Sequence, residues 1–240
     1  MRKAVLSGIA AATAITAGCG EGKAEDGGPT VQRSYQVGEF QQIEVAGPFD
    51  VQVRTGAGPS VSASGPEKLL ERLEVEVRGD KLVIRPRREG WFDNWTSRGH
   101  ATLQVTVPSL RGAAIAGSGD MVIDQVKGDR FIGSIAGSGD LRVETIDVQD
   151  LDLSIAGSGG LHARAGQAKS VDFSIAGSGD IDAAGVRSET ADISIAGSGN
   201  VRGQATGTAD VSIMGSGDVT LTGGAKCSIN KMGSGSANCS

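Results

Sequence analysis

The sequence is poor in the residue types on which many functional sites depend. Its 240 residues include two His, three Cys, five Phe, two Trp and one Tyr. The histidines, His100 and His162, lack the spacing of a metal site, and no Gly-x-Ser-x-Gly motif marks a nucleophilic serine. We therefore predict no catalytic residue, no metal site and no cofactor, and expect a protein that is not an enzyme.

Positive charge is also in deficit. The chain has 23 Lys and Arg against 28 Asp and Glu, a formal net charge of -5. An acidic protein is a poor candidate for binding nucleic acid or anionic lipid through bulk electrostatics. We expect no nucleic-acid partner, and contact with a membrane through a lipid anchor only.

No long apolar run crosses a membrane, but the N-terminus has the pattern of an export signal. A basic start at residues 1–3 precedes a short, mostly small and apolar segment that ends at Cys19. The cysteine follows Ala-Gly, as in a lipobox, although Thr16 stands where Leu is usual. We predict a lipoprotein signal peptide over 1–18, lipidation of Cys19 and anchoring in the outer membrane, on its periplasmic or surface face. An ordinary secretory signal is the alternative.

Beyond the signal, the composition changes twice. Residues 19–32 are small, charged and turn-forming, which predicts a flexible tether. Residues 33–110 contain clean polar and apolar alternation, which predicts strands, and Gly65-Pro66 opens one short helix with Leu69, Leu70 and Leu73 on a face. We interpret 33–110 as an N-terminal β region of irregular coils that caps the rest. A separate small β-domain is the alternative.

What the chain has in abundance is a repeat. The first glycine of a Gly-Ser-Gly motif recurs at intervals of 20 and then 18 residues, at Gly117, Gly137, Gly157, Gly177, Gly197, Gly215 and Gly233. Apolar residues two and four positions before this glycine, and four after it, form columns with a period of two. Each repeat lacks proline and cannot bury a face alone, so copies must stack. Residues 111–240 are therefore predicted to form an all-β, single-stranded parallel β-helix of 18–20-residue coils.

Three segments together resemble a known family. They are F-x-x-I-x-V-x-G-x-x-D-V-x-V at residues 40–53, "LLERLEVEVRGDKLVI" at 69–84 and "VTVP" at 105–108, followed by the repeated "GSGD". They are similar to the putative auto-transporter adhesin, head GIN domain family of exported bacterial proteins. The resemblance implies a right-handed β-helix, an exported and often lipid-anchored protein, and no catalytic residues.

The two remaining cysteines fall in the register of the repeat. Cys227 lies six residues before Gly233 and Cys239 lies six after it, so both belong to inward columns of the last coil. We predict one disulfide between them, in keeping with an oxidising compartment. Lys231 breaks the isoleucine column in the same coil.

The aspartate that follows Gly-Ser-Gly suggests calcium, since Gly- and Asp-rich β-rolls bind it between turns. Those rolls have nine-residue repeats, however, and here the column is interrupted at Gly160 and Asn200. We predict instead that these aspartates cap their own turns by accepting backbone N–H groups, as in an Asx-turn.

Two further groups are candidate binding residues. One is an outward column five positions before the reference glycine, called here the acidic stripe: Asp152, Asp172, Asp192 and Asp210. It is interpreted as a solvated face or as a site for a cation or a cationic partner. The other is the cluster of Trp91, Phe92 and Trp95, which either covers the core or forms an exposed platform for a glycan, peptide or protein.

These patterns favour a non-catalytic exported lipoprotein, a β-helical binding or adhesion-like module at the cell envelope. Its ligand is expected to be a protein or glycan that the sequence does not name. The alternatives are a periplasmic envelope scaffold or stress-related protein, and a polysaccharide-processing β-helix enzyme. Fold analogy alone does not support the enzyme.

Overall fold

The computed structural model describes residues 28–87 and 100–240. The predicted signal peptide, the lipidation site Cys19 and most of the predicted tether lie outside the described residues. So do Trp91, Phe92 and Trp95, the predicted aromatic platform.

The described residues form a β-solenoid of about 6 turns and not a barrel, with 75% of them in strands and 2% in helix. This confirms the predicted all-β solenoid. The elements are β1 (Thr30–Tyr35), β2 (Gln42–Ala46), β3 (Phe49–Thr55), β4 (Ser60–Pro66), α1 (Glu67–Glu71), β5 (Leu73–Arg78), β6 (Lys81–Pro86), β7 (Ala101–Val107), β8 (Gly112–Gly117), β9 (Met121–Gly137), β10 (Asp140–Gly157), β11 (Gly160–Ala163), β12 (Gly166–Gly177), β13 (Asp180–Gly197), β14 (Val201–Gly215), β15 (Asp218–Thr222), β16 (Lys226–Gly233) and β17 (Ser236–Cys239).

The repeat stacks in the register that its columns predict. Strands β9, β10, β12 and β13 run parallel, and equivalent residues pair directly, so that Ile155 lies between Ile135 and Ile175. Successive inward side chains therefore contact their own equivalents about 4.8 Å away along the axis. All three of these isoleucines are 2% exposed, and the buried columns form one continuous core.

The glycines are required at the corner where coils turn. Gly157 has φ of +141°, and a Cβ on it would lie 2.2 Å from the carbonyl oxygen of Gly137 on the preceding coil. A Cβ on Gly159 would lie 2.2 Å from the carbonyl oxygen of Gly139. The backbone N–H of Ser158 between them donates to the Gly137 carbonyl (2.9 Å). A side chain at either glycine would push two coils apart.

The N-terminal region belongs to the same solenoid, but its coils do not stack in chain order. The coil formed by β2 and β3, called here the middle coil, lies between two coils that come later in the chain. β2 pairs with both β6 and β8, and β3 pairs with both β7 and β9. The chain thus leaves the middle coil after β3, builds the outer coil β6–β7, and returns to the opposite side at β8. The continuous pairing does not fit the alternative of a separate β-domain.

The N-terminal end of the stack is closed by strands that change direction. β5 adds to β6, and β4 and then β1 add to β7, all antiparallel. The predicted helix is present as α1, and Leu69, Leu70 and Leu73 are all buried. β1 begins at Thr30, within the segment expected to be a flexible tether.

The C-terminal end is built differently. β16 pairs with β14 and β17 pairs with β15, each in the same parallel direction as the coils before. Cys227 and Cys239 form the predicted disulfide (Sγ–Sγ 2.04 Å), which joins these two last strands. Both cysteines are partly buried against the core.

Candidate binding surface

Two rows of carboxylates run along the outside of the solenoid, and the first has a structural role. Oδ1 of Asp120 accepts the backbone N–H of Asp140 (2.9 Å), and Oδ1 of Asp140 accepts that of Gly160 (2.9 Å). The predicted capping of backbone N–H groups is therefore present, but its predicted place was wrong. The donor is the equivalent residue of the next coil, which the parallel register stacks directly against the aspartate.

The row of hydrogen bonds that these aspartates accept from the next coil is called here the aspartate ladder. It extends beyond the repeat and continues past Gly160, which has no carboxylate. Asp50, in β3, accepts the backbone N–H of Asp120 (3.3 Å), although 70 residues separate the two. At Gly160 no side chain is available, and the N–H of Asp180 donates to the carbonyl of Gly159 instead (3.2 Å). Near the C-terminal end, hydrogen bonds from the Ser236 hydroxyl and N–H lower the pKa of Asp218. These carboxylates are occupied by backbone donors.

The acidic stripe is the second row, and it has the stacked geometry that its column predicts. Asp152 pairs in register with Asp172, Asp172 with Asp192, and Asp192 with Asp210. The stripe lines a groove of about 430 Å³, which also contains Arg130, Asp150, Ser170, Thr190 and Thr208. Carboxylates and hydroxyls form the two outward columns of the groove wall, and the inward-facing Leu151, Val171 and Ala191 lie between them.

Like charges are close enough in this groove to affect one another. Partial burial raises the pKa of Asp172, and the neighbouring carboxylates of Asp152 and Asp192 raise it further, while Arg130 lowers it. Arg130 Nη2 donates to Oδ2 of Asp152 (3.1 Å) and neutralises only that end of the stripe. A ligand with positive charge would relieve the repulsion among the remaining three carboxylates.

The spacing of the stripe decides which cation it suits. Among residues 28–87 and 100–240, no group of three or more His, Cys, Asp or Glu side chains could hold a metal ion. The stripe carboxylates lie one coil apart, about 4.8 Å, in a line and do not converge. The row therefore matches an extended ligand with several positive charges better than a single metal ion.

The sequence matches a known protein family. The sequence profile of a family described as putative auto-transporter adhesin, head GIN domain, matches residues 39–225. The chain belongs to this family. The match covers both the N-terminal coils and most of the repeat, so the resemblance noted in the sequence is confirmed.

Solved structures similar to this head GIN domain protein share its whole architecture. A putative adhesin from Bacteroides fragilis has a TM-score of 0.78 at 22% identity, with 88% of this chain and 97% of that chain covered. A putative lipid binding protein from Parabacteroides distasonis has a TM-score of 0.71 at 22% identity, covering 90% and 98%. A putative adhesin from Parabacteroides merdae has a TM-score of 0.68 at 18% identity, covering 89% and 97%. At these identities the likeness shows the fold.

No curated protein sequence matches the chain significantly. In the described part of the chain, no helix is long and apolar enough to span a membrane.

A second depression is lined by charged side chains of both signs. Arg142, His162, Arg164 and Asp182 line a hollow of about 380 Å³. Its cations already have partners: Arg142 Nη2 lies 2.7 Å from Oδ2 of Asp140, and Arg164 Nη1 lies 3.2 Å from Oε2 of Glu144. This hollow is accordingly a weaker candidate than the groove beside the acidic stripe.

The groove contains residues that the sequence analysis missed. Arg130, Asp150, Ser170, Thr190 and Thr208 all lie seven positions before a reference glycine, on the adjoining outward column. Counting that column would have found them. The unbroken aspartates occupy the column five positions before the glycine, and the predicted stripe was drawn from that column alone.

Proposed function

We propose that this chain is a non-catalytic, exported binding module of the cell envelope, and that the acidic stripe binds an extended cationic segment of another protein. Its family and its structural relatives are named as adhesins or a binding protein and not as enzymes, which supports a binding role. Attachment to the outer membrane through lipidated Cys19 is part of the proposal and rests on the lipobox-like sequence.

The observation that carries the proposal is the stack of four carboxylates in one groove, from Asp152 to Asp210. An exposed ion pair contributes at most about 1 kcal/mol, so one contact would give little affinity. Asp172, Asp192 and Asp210, the three stripe carboxylates that Arg130 does not neutralise, offer several such contacts to one extended chain. The hydroxyls of Ser170, Thr190 and Thr208 add hydrogen-bond acceptors and donors along the same line.

The proposal is tested by comparing two variants with the same charge change. In the first, Asp152, Asp172, Asp192 and Asp210 are all replaced by Asn. In the second, four carboxylates outside the groove are neutralised: Asp129→Asn, Glu144→Gln, Asp147→Asn and Glu189→Gln. Binding of a synthetic decalysine peptide is measured by calorimetry at low and high salt.

We expect the stripe variant to bind at least about tenfold more weakly than the wild type, which corresponds to about 1.4 kcal/mol. The control variant should lose much less, and the difference should shrink as salt screens the charges. Equal losses in the two variants would show that net charge alone attracts the peptide, and would reject the groove as a site.

The cellular part of the proposal has its own test. Metabolic labelling with palmitate should mark the wild type and not a Cys19→Ser variant. Protease accessibility on intact cells then separates an adhesion-like surface module, which should be cleaved, from a periplasmic scaffold, which should be protected.

A further inference from the structure

The last coil differs in charge from the rest of the repeat. Residues 111–218 carry eight Lys and Arg and fifteen Asp and Glu, a formal net charge of −7. Residues 219–240 carry Lys226 and Lys231 and no acidic side chain. The C-terminal end of the solenoid is therefore a cationic tip on an acidic rod.

The same end presents backbone groups that pair on one side only. β16 pairs with β14, and β17 with β15. Within the part of the chain that the structure describes, no strand lies against the outer edge of β16 or β17. An edge strand of this kind offers a row of N–H and C=O groups to which a further strand can add.

Apolar side chains surround this edge. Met232 is 72% exposed, Met214 62% and Ile229 43%. The two methionines occupy a column that is alanine in the five preceding coils, from Ala116 to Ala196. Large exposed side chains therefore appear where the stack stops, and exposed apolar area next to an open edge is typical of a docking surface.

Lys231 determines what such a strand must carry. It pairs in register with Ile213, in a column of buried isoleucines, and its Nζ bends toward the carbonyl of Gly235 (3.4 Å). A strand continuing the stack would place its own inward side chain on this ammonium group. An apolar side chain would bury the charge without an opposite charge beside it, whereas a carboxylate would pair with it. A second copy of the same end would bring lysine against lysine.

We propose that the last coil is a docking site for an extended segment of another protein, which adds as a parallel strand to β16 and places an acidic side chain against Lys231. An anionic membrane is the weaker candidate, because the hydrocarbon phase cannot pair the edge N–H and C=O groups. This site is at the end of the rod, away from the acidic stripe, so it goes beyond the proposed function and can fail independently of it.

The test uses peptides copied from the chain. Residues 208–221, "TADVSIMGSGDVTL", already pair with β16 and β17 from the other side. Three synthetic versions carry Ile, Glu or Lys at the position of Ile213, which the parallel register places opposite Lys231. Binding is measured by fluorescence anisotropy, and its location by hydrogen exchange of the backbone amides.

The Glu peptide should bind at least about tenfold more tightly than the Lys peptide, with the Ile peptide between them, and should slow exchange in β16. A Lys231→Ile variant should reverse the preference, toward the Ile peptide. Lys226→Ile, which removes the same charge outside this column, should keep the wild-type order.

Three results would overturn the proposal. One is equal binding of all three peptides, and another is protection outside β16 and β17. The third is binding to phosphatidylglycerol vesicles that Met232→Ser removes, without binding of any peptide, which would assign the tip to a lipid surface.

Discussion

The two ends of the solenoid terminate the stack of coils in different ways. At the N-terminal end, the stack stops because the next strands run antiparallel: β5 on β6, and β4 followed by β1 on β7. At the C-terminal end, the last coil keeps the direction of all the others and ends with a disulfide and a lysine in the isoleucine column. The N-terminal end terminates the stack by a change in strand direction. The C-terminal end keeps the strand direction of the other coils and differs from them only in its residues.

The difference shows that an exact repeat cannot terminate itself. Every coil buries its inward columns on two neighbours, so the final one must leave half of its contacts unmade. Leu70, under the antiparallel cap, is 1% exposed, whereas Ile229, in an inward column of the last coil, is 43% exposed. The N-terminal end is therefore expected to be the more stable of the two.

The largest effect is expected from adding a methyl group to the glycine corner in the middle of the stack. Gly157→Ala should lower the free energy of unfolding by about 4 kcal/mol, because it combines an unfavourable positive φ with a clash against the backbone of the preceding coil. The same change at Gly233 meets the carbonyl of Gly215 at 2.1 Å, but the last coil has one neighbour and can move. We expect about half the loss there, measured by chemical denaturation.

Gly128→Ala is the control for backbone strain alone. Its φ is +148°, and a Cβ there would meet nothing within 4 Å. A cost of about 1 kcal/mol is expected. If Gly128→Ala and Gly157→Ala proved equally costly, close contact between coils would not be what fixes the glycines.

The two ends are compared directly by truncating one apolar residue at each. Leu70→Ala should cost about 3 kcal/mol, since it leaves a cavity under the cap. Ile229→Ala should cost under about 1 kcal/mol, because much of its side chain already contacts solvent. Thermal and chemical denaturation would measure both. Equal losses would mean that the last coil is covered in solution, as a docked partner would do.

The aspartate ladder gives a smaller effect. Asp120→Ala removes the acceptor for the backbone N–H of Asp140 and should cost about 1 kcal/mol. Asp120→Asn should cost less, because Asn200 performs the same role in the chain, accepting the N–H of Asp218 (3.2 Å). A loss as large for Asn as for Ala would show that the negative charge, and not the hydrogen bond, is needed.

A fall in pH should lower the local stability of the C-terminal end by a small amount. The folded pKa of Asp218 lies below its ordinary value because of the hydrogen bonds from Ser236. Its contribution is therefore present above the unfolded pKa and is lost as pH falls through the folded pKa, below about pH 4. Hydrogen exchange of β17 should accelerate in that range before that of β7, a strand without carboxylates. Asp218→Asn should remove the pH dependence in β17, and its persistence in the variant would assign the effect to another group.

Much of the repeat could be predicted because counting from one glycine fixes every column. The isoleucine core, the acidic stripe and the pairing of Cys227 with Cys239 all follow from that register. The helix followed from Gly65-Pro66 and three leucines. These signals are local or strictly periodic, so one sequence is enough to read them.

The rest depends on contacts between distant segments without a shared period. Nothing near Asp50 indicates that it continues a ladder in the repeat, because its partner Asp120 is 70 residues away. The order of the first coils is hidden for the same reason. The groove is an intermediate case: the register of the repeat places Arg130 and Asp150 on its wall, but their column contains mixed residue types and so does not stand out as a site.

The interrupted order of the first coils has a consequence for how the chain assembles. Contacts such as Asp50 with Asp120 close a loop of 70 residues, whereas each later coil, such as Asp120 with Asp140, closes one of 20. Loop-closure entropy makes the 70-residue closure costlier than the 20-residue closure by about 1 kcal/mol. The middle coil also has to wait until residues on both sides of it have been made or exported. We expect the 20-residue coils to form first and the N-terminal coils to close onto them afterwards, so that the start of folding and the start of the chain do not coincide.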